Sequence, residues 1–142
     1  MPALAALVAA IGCGLVLPVG REIVDPYREP ACEWCAGNRG IEWRAAVGEQ
    51  VRSAAAGRVA FAGRVAGTGW VVVEVREGLL VTHGRLDGVV VSTGDQVAPG
   101  EPVGTSAGSL YVGVRLHGRP VDPARCGLEP PSGRPRAVLV RR

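Results

Sequence analysis

From Gly48 onward, apolar side chains recur at every second position in short runs, and each run is cut off by glycine. The clearest are Val59 and Phe61, then Val71, Val73 and Val75 with Glu74 and Arg76 at the alternate positions, then Leu110, Val112, Val114 and Leu116. Leu79 to Thr82 and Val89 to Val91 continue the series, between the breaks at Gly57, Gly63, Gly67, Gly69, Gly78, Gly94 and Gly100. A period of two suits a strand with one buried face, because successive side chains point to opposite sides of the sheet. Beyond residue 20 no apolar spacing of 3.6 residues survives for three turns, so helical architectures are excluded. A chain of 142 residues makes one domain. The expected fold is all-β, an antiparallel β-sandwich of short strands. Gly48-Glu49-Gln50-Val51 returns as Gly94-Asp95-Gln96-Val97, which suggests two similar hairpin-like halves.

Residues 2 to 20 carry no charge and end at Arg21. Their length suits a signal peptide or a membrane anchor over residues 1–20, so the protein is expected to be exported to the cell envelope or beyond it. Ala10-Ile11-Gly12-Cys13 loosely resembles a lipoprotein box with Cys13 as the lipidated residue; the alternative is an unmodified, buried Cys13. Residues 21–35 read as an extended lead-in containing Cys32-Glu-Trp-Cys35, and residues 127–142 as an Arg-rich C-terminal tail. That tail lacks interleaved aromatics and is rich in proline, so nucleic acid is not an expected partner. In an oxidising compartment Cys32, Cys35 and Cys126 are disulfide candidates, either as a bridge inside the loop or from one of the pair to Cys126. Zinc held by these three with a histidine is the other reading.

All 16 basic residues are arginine, so amine catalysis and a lysine-borne carrier group are both excluded. His83 and His117 are the only two histidines. A site needing more imidazoles is therefore out of reach, and His117-Gly118 reads as a hairpin turn.

Four ordered blocks carry a resemblance. GNRGIEWRAAVGEQVRSAAAGRVAFAGRVAGTGWVVVE, GLLVTHGRL, VVVSTGDQVAPGEPVG and LYVGVRLHGRPVDP together resemble the M23 (LytM-type) peptidase domain of bacterial cell-wall hydrolases, over residues 36–126. The resemblance implies a β-sandwich with a groove over one sheet, a zinc ion, and cleavage of peptide cross-bridges in peptidoglycan. It also implies a metal site that opens with a His and an Asp four residues on, closes with a His-x-His pair, and adds a His before a Leu. Carried over, those positions hold Asn38, Glu42, the pair Ser109 and Tyr111, and Arg85. Only Glu42 is an ordinary zinc ligand among them. No cofactor is therefore expected.

His83 lies two residues before Arg85, so on a regular strand both would face one side and His83 could reach the groove. Glu42 and Arg85 are placed to form an ion pair where the metal would sit, with Asn38, Ser109 and Tyr111 as hydrogen-bonding neighbours. The expected function is a catalytically inactive, peptidoglycan-associated module that binds or regulates, its partner being peptidoglycan or a cell-envelope protein. The alternative is an active cell-wall metalloendopeptidase with an altered site that uses Glu42 and His83.

Overall fold

A computed structural model of the chain describes residues 13–18 and 20–126. Among these described residues nine strands follow one another: β1 (Ile23–Asp25), β2 (Gly40–Arg44), β3 (Gln50–Arg52), β4 (Gly57–Val65), β5 (Thr68–Arg76), β6 (Leu79–Val89), β7 (Gln96–Val97), β8 (Pro102–Leu116) and β9 (Arg119–Val121). A single 3-10 turn, Pro123–Arg125, closes the described chain. Every pairing is antiparallel, in the order β1-β2-β8-β6-β5-β4-β7, with β3 and β9 also on β8. The all-β antiparallel architecture is the expected one, with its hydrogen bonds running through one continuous sheet. The continuity comes from β8, whose 15 residues take β3, β2 and β9 in turn along one side and β6 along the other.

Alternation sorts the side chains. Ile41, Val71, Val73, Val81, Val112 and Val114 lie on one face and are buried. Two clusters cover that face: Ile41, Trp43, Ala54, Ala55, Leu79, Val81, Val112 and Val114 form one, and Val51, Val59, Val71, Val73, Leu86, Val97 and Val103 the other. Each such valine or leucine contributes about 1.5 to 3 kcal/mol through removal from water. The opposite face carries Glu42, Trp70, Thr82 and Tyr111, and holds the candidate site.

The recurring Gly-acid-Gln-Val motif is a turn that caps itself. Glu49 accepts a hydrogen bond from the Ala46 amide at 3.1 Å and Asp95 one from Ser92 at 2.9 Å. Glu101, in a third copy without the Gln-Val sequence, accepts one from Ala98 at 2.6 Å. After the first two turns Val51 and Val97 both enter the second core cluster. Ala66-Gly67 and His117-Gly118 supply two consecutive positive φ angles at the β4–β5 and β8–β9 reversals, the geometry of a two-residue hairpin turn.

The structure revises the reading of the N-terminal run and of the cysteines. Cys13, Leu15 and Leu17 pack on the first cluster, and the Val16 amide donates to the Ala54 carbonyl at 2.8 Å. Part of the segment expected to be a signal peptide or anchor is thus built into the domain. Cys13 is bonded to Cys126 with their Cα atoms 5.6 Å apart, so its sulfur is not open to lipidation. Cys126 therefore does not pair with Cys32 or Cys35, which bridge each other across 4.9 Å between Cα atoms. A zinc site on Cys32, Cys35 and Cys126 is ruled out by the same pairing. Residues 1–12, the rest of the expected leader, and the Arg-rich tail 127–142 lie outside the described residues.

His83 is fully buried on the covered face. Its Nε2 accepts from the Ala54 amide at 2.9 Å, which leaves the ring proton on Nδ1, 3.3 Å from the Val71 carbonyl that accepts it. Burial lowers its pKa from 6.5 to about 4, with the Val71 carbonyl opposing. Between those two values the unfolded chain binds a proton that the folded chain refuses. Stability from this group is complete above pH 6.5 and declines as pH falls towards 4, by about 3 kcal/mol in all. In His83→Gln the acid limb of a urea-denaturation series should flatten over that range. At neutral pH the variant should be about 1 to 3 kcal/mol less stable than the wild type. An unchanged acid limb would show that His83 is not the titrating group.

Candidate functional site

Strands β2, β6 and β8 meet where Glu42 and Gly84 both lie opposite Tyr111. One residue later β6 carries a bulge: His83 pairs with Val71 and Leu86 with Gly69, so three steps on β6 match two on β5. Arg85 is the extra residue and takes the left-handed conformation at φ 59°. The bulge sends the Arg85 side chain to the groove face and returns Leu86 to the core, where it is buried. It also overturns the placement of His83 in the groove. The i, i+2 relation to Arg85 holds only in a regular strand, and here the two side chains leave on opposite faces.

Arg85 Nε lies 2.8 Å from Glu42 Oε2, an ion pair. Ser109 Oγ donates to the same oxygen at 3.0 Å. The Glu42 side chain is only 12% exposed, that of Arg85 53%. Tyr111 completes the cluster with its ring centre 5.8 Å from the Arg85 guanidinium carbon. Glu42, Arg85, Ser109 and Tyr111 are thus brought together. Asn38 is buried at the rim and turned away: its amide nitrogen donates to the Pro26 carbonyl at 2.8 Å and the Asp25 carbonyl at 3.3 Å, strapping the lead-in to the sheet. The Cys32–Cys35 loop joins the rim through Arg39, which donates to the Glu33 and Cys35 carbonyls at 2.8 and 3.2 Å.

Two features of the floor escaped the sequence reading. Trp70 meets Tyr111 edge to face, with centroids 5.9 Å apart and planes at 83°. It sits one position before the alternating valines of β5, on the face they leave to the groove. The second is a bed of glycines under the phenol ring. A Cβ on Gly40 would lie 2.6 Å from Tyr111 Cζ, and one on Gly113 3.1 Å from its hydroxyl oxygen. A Cβ on Gly84 would lie 2.2 Å from Trp70 Cζ3 and 2.9 Å from Tyr111 Cδ1. Burial raises the Tyr111 pKa above its ordinary value; Arg85, Arg115 and Arg39 oppose that rise and Glu42 adds to it. The phenol is therefore neutral at physiological pH.

This donor set does not fit zinc. Asn38 spends its amide on two backbone carbonyls, Tyr111 is a neutral phenol, and Arg85 is a permanent cation whose Nε already lies on the one carboxylate. Among the described residues no group of three or more His, Cys, Asp or Glu is placed to hold a metal ion.

The fold and the groove define a class. The model of peptidase family M23 matches residues 36–123, more than half of the chain, and the protein belongs to that family. A stretch of 97 residues is 30% identical to the outer membrane antigenic lipoprotein B of Haemophilus influenzae, covering 63% of this chain and 24% of that protein. The chain thus spans about a quarter of that relative's length. Csd3 from Helicobacter pylori superposes with a TM-score of 0.66 at 25% identity, over 78% of this chain and 32% of that one. A chain of the SpoIIQ-SpoIIIAH pore forming complex does so at 0.66 and 19% identity, over 81% and 90%.

Gly84 tests whether the floor is packed as described. In Gly84→Ala the new methyl must push the Trp70 ring outward, because the Tyr111 side is closed by Gly40 and Gly113. A loss of about 1 to 3 kcal/mol in denaturant titration is expected, with tryptophan emission shifted to longer wavelength. Gly63→Ala is the comparison: its Cβ would meet only the Phe61 ring, at 3.2 Å, and it should leave the emission unchanged.

Proposed function

We propose that this M23 domain is a non-catalytic module of the cell envelope, which uses its groove to bind peptidoglycan or an envelope protein and so to position or regulate other wall enzymes. The observation that carries the reading is the Arg85–Glu42–Ser109 cluster, in which a guanidinium lies against the one carboxylate among the positions that the family resemblance assigns to the metal site. A hydrolase of this class needs three ligands and a metal-bound water whose pKa is lowered towards neutrality. Here one ordinary ligand remains, and it is engaged by Arg85 and Ser109. The altered-site alternative relied on His83, which is in the core. Likeness to a lipoprotein of the outer membrane supports an envelope location, and likeness to a member of a two-protein complex supports a partner-binding role.

Purified protein is expected to co-sediment with isolated cell wall, to release no dye from labelled wall with or without chelator, and to carry no stoichiometric zinc by elemental analysis. One tightly bound zinc together with chelator-sensitive release would overturn the reading.

A further inference from the structure

The Arg85 guanidinium is held at one edge only. Its Nε lies on Glu42 Oε2 at 2.8 Å, its carbon sits 5.8 Å from the Tyr111 ring centre, and among the described residues Nη1 and Nη2 have no partner. The side chain is half exposed on the groove face, while the carboxylate behind it is nearly buried. Its backbone is in the left-handed conformation, which is unfavourable for a non-glycine residue, and the bulge keeps it there. An arginine paired through Nε and lying over a ring is restrained before any ligand arrives. What it offers is a planar pair of donors, spaced for the two oxygens of a carboxylate. The surroundings have the same sign: Arg39 and Arg115 act on the Tyr111 hydroxyl alongside Arg85, and Glu42 is the one acid among those groups.

We infer that the groove recognises a free carboxylate on an extended peptide, gripped by the Nη1 and Nη2 edge of Arg85, with the peptide lying along Tyr111 and Trp70. The inference rests on the binding role proposed above and narrows its ligand to a chemical class. An uncapped chain end presents two oxygens in one plane, matching the fork. Its amide presents one oxygen and two hydrogens that face the guanidinium hydrogens. Discrimination between the two comes from the fork itself, and the field of Arg39 and Arg115 makes it stronger at low ionic strength.

The test is a pair of probes, N-acetyl-trialanine as the free acid and as its C-terminal amide, titrated into the full chain by NMR and by tryptophan emission. The acid should bind saturably and about tenfold more tightly than the amide, with shifts centred on Gly84, Arg85 and Tyr111. Arg85→Lys keeps the charge without the fork, and Arg85→Asn tolerates the left-handed backbone without the charge; both should cut the preference several-fold while the far-ultraviolet dichroism stays that of the wild type. Equal binding of acid and amide, no binding of either, or a preference that survives both substitutions undiminished would overturn the inference. Co-sedimentation with cell wall separates the two readings. Wall binding without acid preference sinks only this inference, whereas failure to bind wall or any envelope protein sinks the function proposed above.

Discussion

The contact between Arg85 and Glu42 joins a permanently charged side chain, half in water, to a carboxylate almost withdrawn from it. Such a carboxylate is costly to bury unless its oxygens are satisfied, and here Arg85 and Ser109 share one of them. Removing the arginine would leave the anion facing the Tyr111 ring with only a serine hydroxyl. The contact depends in turn on the bulge, since a regular β6 would aim residue 85 at the core and residue 86 at the groove. One extra residue thus lets Leu86 stay buried while a cation reaches the opposite face. The left-handed backbone at Arg85 is offset by what both side chains gain.

The two faces share the same few residues of β6. His83 reaches down to take the Ala54 amide, and the Ala54 carbonyl takes the Val16 amide of the N-terminal segment. Through Cys13 that segment is tied to Cys126 after β9, a sequence separation of 113 residues. The cross-link joins the two ends of the described chain under the sheet, where closing so long a loop removes much freedom from the unfolded chain. Lead-in, core and groove are therefore mechanically connected: Asn38 holds residues 25 and 26 at the rim, Arg39 holds the Cys32–Cys35 loop, and both precede the strand that carries Glu42.

Much of this was legible in the residues. Alternating valines and glycine breaks specify the strands of an antiparallel all-β domain, because side-chain period and turn chemistry are local properties. The meeting of Glu42 with Arg85, Ser109 and Tyr111 followed from the resemblance and from which positions share a face. The bulge was not legible. Across Thr82-His83-Gly84-Arg85 no apolar side chain recurs, so nothing in the local pattern fixes which face each residue takes. The placement of His83 failed there. Cys13 failed for another reason: an uncharged run reads alike as a leader or as the buried edge of a domain until its partner across the fold is known. Trp70 and the glycine bed went unread because their meaning lies in cross-strand register, which joins positions far apart in the chain.

The packing of Tyr111 bears on what the groove can do. A phenol ring lying over Gly40, Gly84 and Gly113 fits only because three separate strands present backbone without Cβ at one spot. The ring is then flanked from below by the sheet, from the side by Trp70 and from above by the Arg85 guanidinium. A floor held on three sides loses little conformational entropy when a ligand settles on it, so contacts made there are retained as affinity. A groove emptied of ligands and left loose would lack these constraints. The polar floor of this domain is an ordered surface with a defined charge and shape, which is what the binding role proposed above requires.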